Sequence, residues 1–430
     1  MLGLAAERDG GRELENRTPP RDGSTALKRA LGLPLLILYG LGVTVGAGIY
    51  VLVGAAAAKA GLYAPISFLL AAIVVAFTGF SYAELGARYP VSAGAAAYVR
   101  NGLSSNALAL AVGAMVLATG VVSAAAISIG AVGYLRHFVD LPAPVLVAAV
   151  VLVMGFAAAW GIVESVTVAA VCTAIEVAGL VLVIGFAVAH RPELLGEIDR
   201  IFPPPTADAW TGIAAAGLLA FFAFIGFEGI ANVAEEAVDP GRTMPRAILA
   251  TLAIATFLYV AVVGAVVLAV PLEVLSGSPA PLALVFEGKG RAVGMTFTAI
   301  AIFATINGVL VQMIMSSRIL YGLAAQGSLP AWLGSDQLSR VAATTRTPLV
   351  ATAVIVAAVL VLALVFPIAG LAETTAVIVL VVFVLVNLAL VRLKIRPGGP
   401  QAVAFRVPVW IPAVGALSST ALLCADFLLD

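Results

Sequence analysis

Two hydrophobic stretches, about 180 residues apart, carry glycine where a membrane-crossing helix tolerates it least, at the middle. The first, Leu35–Gly54, reads LLILYGLGVTVGAGIYVLVG, and the second, Gly217–Val233, reads GLLAFFAFIGFEGIANV. Glycine inside a helix costs roughly 1 kcal/mol relative to alanine. Inside a bilayer, irregular backbone persists only where protein buries it or where it lines a cavity. Each stretch is therefore read as a helix that breaks at mid-membrane for a reason.

The rest of the chain fits a bilayer. Of 430 residues, 62% are hydrophobic and 11% charged, outside the range of soluble domains. Eleven runs are long enough to span, near 33–58, 65–87, 105–135, 143–161, 165–189, 211–236, 244–271, 292–325, 348–366, 370–392 and 408–428. Residues 1–30 are polar and read as a disordered cytoplasmic tail with no cleavable signal before it. Net charge is zero, but its distribution is uneven. With the N-terminus inside, 17 of the 23 basic residues fall on inner segments, leaving Lys59, Arg136, Arg191, Arg200, Lys289 and Arg291 outside. That asymmetry places the N-terminus in the cytoplasm of a multi-pass protein of the cell membrane. Cys172 and Cys424 lie inside apolar runs and read as buried packing thiols, not a disulfide or a metal site.

Residues 31–190 hold spans 1–5, and residues 211–395 hold spans 6–10. A proline-rich connector, 191–210, joins them, and the last span occupies 396–430. Each half opens with a broken helix, and an odd number of spans per half inverts the second half relative to the first. Broken helices at corresponding positions of two halves are the strongest sequence pointer to the substrate site of a secondary transporter. The expected fold is all-α, of the LeuT-type 5+5 inverted-repeat arrangement.

Several motifs carry a family resemblance. Val45–Tyr50 (VGAGIY) resembles the glycine-rich break of helix 1 in the amino acid–polyamine–organocation transporters. Tyr89–Tyr98 (YPVSAGAAAY) resembles their loop after helix 2, with alanine in place of one glycine. Phe221–Ile248 is similar to their helix 6 and the loop after it, Ser316–Pro330 to the end of helix 8, and Arg346-Thr347-Pro348 to the entry of helix 9. These run in order over about residues 30–395. The resemblance implies transport of amino acids or related amines around a midplane site.

Within that frame, Gly46, Ala47 and Gly48 are where span 1 unwinds, exposing N–H groups suited to a carboxylate. Thr44 and Val45 flank the break. Close helix packing through the Gly42/Gly46 pair is the plainer alternative. Gly226, Phe227, Glu228 and Gly229 break span 6, where freed carbonyls suit an ammonium. By resemblance Phe222, or alternatively Phe224, is an aromatic gate over the substrate. Glu228 is either a gating group or a carboxyl that bonds the broken backbone. Glu176 stands at the centre of span 5, on a small-polar stripe with Ala169, Cys172, Thr173 and Gly179 that faces the bundle. Many proton-coupled relatives have lysine there. An acid at that place is read as the proton-coupling residue, able to alternate between charged and neutral forms. By resemblance Gln312 lies near the substrate and Asn307 near the ion-equivalent site. Thr119 and Ser123 of span 3 complete the substrate candidates. The charges after span 6, from Glu235 to Arg246, form gating pairs with Arg88 or Arg318, or else an ordinary solvated loop.

A membrane-embedded hydrolase would need paired acids or a histidine motif such as H-E-x-x-H within its helices, and no such motif occurs in the chain. A channel needs no inverted pair of breaks. The expected activity is amino acid transport without enzyme chemistry or cofactor, coupled to protons. Its alternatives are a polyamine or cationic amino acid carrier, or an uncoupled exchanger. The expected partners are the amino acid or amine, protons and the lipid bilayer, with no nucleic acid.

Overall fold

The computed structural model describes residues 27–136, 139–278, 281–287, 290–365, 371–396 and 404–429. The expected tail thus lies outside the described residues up to position 26. Ordered packing begins earlier than the sequence implied, because Leu27 is buried and Ala30 and Leu31 donate backbone hydrogen bonds to the Glu236 carbonyl.

Span 1 is two helices, α1 (Leu33–Thr44) and α2 (Ala47–Ala60), and span 2 is α3 (Ala64–Arg88). A short helix α4 (Gly94–Leu103) fills the following loop, and α5 (Asn106–Leu135), α6 (Ala143–Trp160) and α7 (Ile162–His190) complete the first half. Span 6 is α8 (Ala207–Ala223) followed by a 3-10 segment, Phe227–Glu236. Then come α9 (Pro240–Ala269), short α10 (Leu272–Ser276), α11 (Arg291–Ala325) and short α12 (Ser335–Leu338). The last three are α13 (Leu349–Val365), α14 (Leu371–Ile395) and α15 (Trp410–Leu429). Proline at the first turns of α1, α3 and α9 starts these helices where a backbone donor is not needed. Eight helices among the described residues are long and apolar enough to cross a membrane, with shorter apolar helices at Leu33–Thr44, Leu349–Val365 and Trp410–Cys424.

Packing follows the two-half organisation. Helices five spans apart face each other, α3 on α9 and α5 on α11. The second half of span 1, α2, lies on the first half of span 6, α8; the first half, α1, lies on the 3-10 segment. That exchange of halves is the geometry of an inverted pair. An isolated parallel bridge between Leu31 and Ala237 fastens the start of span 1 to the end of span 6.

Two details depart from the sequence reading. Cys172 is buried, but Cys424 is exposed, since α15 packs on one side only, against α3 and α14. The loop after span 2 is largely the helix α4, whose N-cap is Ala93 at φ 57°. This left-handed conformation disfavours an L side chain, and Ala93 stands within the motif that replaces a glycine by alanine.

One end of the bundle is held by a buried carboxylate. Glu84 of α3 accepts from Arg88 Nε at 3.0 Å, from Lys394 Nζ of α14 at 2.7 Å and from the Val407 N–H at 2.7 Å. One turn deeper, Asn387 of α14 donates to Thr78 Oγ1 at 2.9 Å and accepts from Ser81 Oγ at 2.6 Å, both on α3. Helices α3 and α14, with the approach to α15, thus form one unit. Breaking a buried charge pair from one side costs about 3–5 kcal/mol. Glu84→Ala should therefore lower the thermal unfolding temperature of the detergent-purified protein strongly, while Glu84→Gln, which keeps acceptor capacity, should lower it less.

Candidate substrate site between the helix breaks

The two breaks touch. Gly226 sits at φ 127°, and a Cβ placed on it would lie 2.5 Å from the Val43 carbonyl oxygen and 2.8 Å from its carbon. Glycine is required here twice over, by the backbone conformation and by the neighbouring chain. Breaking both helices frees carbonyls at the ends of α1 and α8, which lipid cannot satisfy. Tyr259 of α9 supplies the missing donor. Its buried hydroxyl lies 2.8 Å from the Thr44 carbonyl and 3.0 Å from the Ala223 carbonyl, so one O–H serves both helix ends. The Thr44 hydroxyl bonds back to the Gly40 carbonyl at 2.8 Å.

Beside this crossing lies a small cavity. Val43 of α1, Val116, Thr119 and Ser123 of α5, Gln312 and Met315 of α11, and Ile225, Gly226 and Glu228 of span 6 line it. Ile378, Val379, Val382 and Phe383 of α14 complete the lining. Phe383 is held by ring contacts to Tyr82, Phe221 and Phe227 at centroid distances of 5.9, 6.2 and 5.5 Å. Glu228 Oε2 accepts the Gly226 N–H at 2.9 Å and so caps the start of the 3-10 segment.

Of the sequence candidates, Thr119, Ser123, Gly226, Glu228 and Gln312 come together on this cavity. Thr44, Val45, Gly46, Phe222 and Phe224 stand outside its lining. Thr44 and Val45 are buried at the break, and a Cβ on Gly46 would meet open space. Ala47 and Gly48 open α2, and their side-chain surroundings lie outside the described residues. Phe224 is fully buried against Tyr259, with ring centroids 5.0 Å apart, and Phe222 leans on Phe221. The α14 wall and Tyr259 were missed. Every residue of α14 from Val377 to Val386 is apolar, so no mark there distinguishes its cavity face from its packed face, and a lone tyrosine in an apolar helix looks like filler.

A second cluster sits behind α1. Glu176 is fully buried on the expected stripe, with Val168, Val171 and Leu182 exposed on the opposite side. Asn307 Nδ2 donates to Thr173 Oγ1 at 2.9 Å and lies close to the Glu176 carboxylate. Neither Glu176 oxygen has a partner within hydrogen-bonding geometry among the described residues, nor does Asn307 Oδ1. The path of α1 depends on this cluster, because a Cβ on Gly42 would fall 2.3 Å from Thr173 Oγ1 and 2.9 Å from Asn307 Nδ2.

The charges after span 6 divide: Asp239, Arg242 and Arg246 are exposed, as in a solvated loop, whereas Glu235 and Glu236 are drawn into the protein. Glu236 and Arg318 are both fully buried and pair at 3.5 Å, while Arg88 is taken by Glu84. Glu235 accepts from Tyr321 at 3.2 Å and from the Ser92 N–H at 3.3 Å. Gln326 donates to the Ser92 carbonyl at 2.7 Å, and Arg100 donates to the Gln326 carbonyl at 3.1 Å. Adjacent glutamates thereby fasten the end of span 6 to α11 and to the loop before α4.

A helical membrane bundle with two interlocked breaks and a cavity at their crossing defines a LeuT-type transporter. Solved structures with this arrangement include the substrate-bound outward-open state of a Na+-coupled sialic acid symporter (TM-score 0.60, 12% identity, 93% of this chain and 90% of that one). MhsT in complex with L-phenylalanine is similar too (TM-score 0.60, 14% identity, 94% and 99%). At these identities the likeness concerns the fold. The amino acid permease family profile matches residues 31–428, and the chain belongs to that family. It is 28% identical over 424 residues to the branched-chain amino acid permease BcaP of Bacillus subtilis (strain 168), covering 92% of this chain and 87% of the relative. It is 30% identical over 349 residues to the chloroplastic cationic amino acid transporter 9 of Arabidopsis thaliana, covering 73% and 59%. An uncharacterized transporter of Mycobacterium tuberculosis (strain ATCC 25618 / H37Rv) is 32% identical over 411 residues, covering 94% and 87%. The protein is a multi-pass membrane protein of the amino acid transporters.

Two substitutions separate the roles of the glycines. Gly226→Ala should abolish substrate binding in protein that still inserts, whereas Gly46→Ala should leave equilibrium binding near wild type. Tyr259→Phe leaves carbonyls without a donor, at about 1–3 kcal/mol for a buried group. It should lower the unfolding temperature and weaken substrate binding together, read by thermal shift and by scintillation proximity.

Proposed function

We propose that this permease carries neutral amino acids with bulky apolar side chains across the cytoplasmic membrane, with its N-terminus inside, by alternating access around the cavity between spans 1 and 6. The observation that carries this reading is the lining itself. The lining combines a few polar groups, on Thr119, Ser123, Glu228 and Gln312, with the apolar side chains of Ile378, Val379, Val382 and Phe383 on α14. A substrate with its charged end at the break and a hydrocarbon side chain on α14 matches that combination. The relative named as a branched-chain amino acid permease agrees with it. Ala47 and Gly48, at the start of α2, are assigned the carboxylate through their backbone N–H groups, as the dipole at a helix start favours an anion.

Coupling is assigned to the proton, through Glu176. A carboxylate without a partner in a buried site is expensive as an ion, and a proton is the smallest species that completes it. Loading and release of that proton then bias the α1–α7–α11 junction, where Gly42, Thr173 and Asn307 are in direct contact.

Reconstitution into liposomes tests both parts. Uptake of radiolabelled L-leucine should be driven by an acid-outside gradient, abolished when an ionophore collapses it, and competed by leucine, isoleucine and valine but not by lysine, arginine or putrescine. Acceleration by internal amino acid with no response to the gradient would make the protein an exchanger. Glu176→Gln should reduce gradient-driven uptake by about tenfold or more, the scale of a coupling free energy, while leucine binding stays close to wild type. Unaltered gradient dependence in this variant would reduce Glu176 to packing.

A further inference from the structure

We infer that Tyr50 is the positioning residue that ties the proton on Glu176 to the second half of span 1, its hydroxyl donating to the Glu176 backbone carbonyl while the acid is neutral and to the carboxylate once the proton has left. This rests on the coupling role given to Glu176 above. It deepens that role by naming the donor through which loss of the proton reaches the broken helix.

Tyr50 stands in the first turn of α2, and its hydroxyl lies 3.2 Å from the Glu176 carbonyl oxygen. A Cβ on Gly179, almost one turn further along α7, would stand 3.5 Å from the same hydroxyl. The tip of the ring therefore lies over the small-polar stripe beside Glu176. The carboxylate belongs to the same residue as that carbonyl, and both its oxygens are buried without a hydrogen-bond partner among the described residues. It is also near enough for its charge to act on the Tyr50 hydroxyl. An O–H···O bond is at its best near about 2.8 Å, so the bond to the carbonyl is weak. An ionised carboxylate is the better acceptor, since charge-assisted bonds are roughly twice as strong as neutral ones. Exchange between the two acceptors needs side-chain rotation, for which the partly buried Tyr50 has room.

The other groups that face Glu176 do not make this link. Cys172 and Thr173 are on α7 itself, and Asn307 of α11 donates to Thr173 Oγ1 at 2.9 Å. The Tyr259 hydroxyl of α9 is committed to the Thr44 and Ala223 carbonyls. Gly42 of α1 touches the cluster but brings no side chain to it. Of these groups, Tyr50 is the side-chain donor carried by the broken span. While Glu176 is charged, the hydroxyl holds α2 against α7. When a proton fills the acid, the hold weakens to the long bond with the carbonyl, and the second half of span 1 is released.

The test measures uptake of radiolabelled L-leucine into liposomes against external pH, at fixed internal pH. Tyr50→Phe keeps the ring and removes the donor. A carboxylate that loses a hydrogen bond holds its proton more tightly. The external pH of half-maximal uptake should therefore rise by about one pH unit, and gradient-driven accumulation should fall about tenfold because the proton leaves less readily inside. Leucine counterflow at equal pH, which needs opening and closing without net proton movement, should stay close to wild type. Tyr50→Gln, which restores a donor, should bring the midpoint back toward wild type, and Tyr50→Phe should add nothing to the residual uptake of Glu176→Gln. An unchanged midpoint in Tyr50→Phe, equal losses of uptake and counterflow, or the same fractional loss with and without Glu176 would make Tyr50 a packing residue and overturn the inference. Persistence of the pH response in Glu176→Gln alone would instead overturn the coupling reading on which it rests.

Discussion

Backbone that leaves a helix at mid-membrane must be satisfied by protein, and in this chain that requirement falls on a single hydroxyl and a single glycine. The O–H of Tyr259 stands between the last carbonyls of α1 and α8. Gly226 lets the two chains approach until Cβ would strike the Val43 carbonyl. Without the first, both helix ends are unsatisfied in a medium that offers no water. Without the second, the two breaks cannot approach as they do beside the cavity. The rest of the site follows. Glu228 can cap the 3-10 segment and border the cavity at once only because Gly226 holds its N–H at that crossing.

The buried polar groups divide by how completely they are satisfied. At one end Glu84 is surrounded by donors from Arg88, Lys394 and the Val407 backbone, and Asn387 ties the same helices a turn away. Such closed networks rigidify what they join, so α14 and its cavity wall are fixed to α3. At mid-membrane the pattern reverses: Glu176, Asn307 Oδ1 and Gln312 Oε1 keep unsatisfied acceptors. Local breaches of the satisfaction rule are expected where function resides. Between these extremes, Glu235 and Glu236 fasten the end of span 6 to α11 and Ser92 through moderate, separable contacts. Any rearrangement that opens this end of the bundle has to release them.

Much of this was legible before any coordinates. Hydrophobic run length gives the spans, because a bilayer of fixed thickness imposes a length on whatever crosses it. Glycine at mid-helix marks both breaks, since nothing else in a lipid-bathed helix explains its cost. The placement of Glu176 on a small-polar stripe follows from helical spacing alone, and the buried and exposed residues of α7 fall on the expected sides. The five-span offset, read from span order, reappears as the packing of α3 on α9 and α5 on α11.

Partnerships between distant residues were not legible, because they depend on where helices cross. Arg88 and Arg318 look equivalent as candidates for the glutamates after span 6, yet Glu84, one turn before Arg88, takes it and leaves Arg318 to Glu236. Phe222 and Phe224 look equally suited to a gate, but the direction of each side chain is set at the end of α8, which turns Phe224 into the core beside Tyr259. The apolar face that α14 offers the cavity has no periodic signature, since every residue from Val377 to Val386 is apolar. The sequence by itself determined the medium and where the chain breaks, both local consequences of hydrophobicity and of glycine's missing side chain. Tertiary structure decided which carbonyls share a donor, which carboxylates are neutralised and which are left to face the cavity, because those outcomes are set by distances between helices hundreds of residues apart.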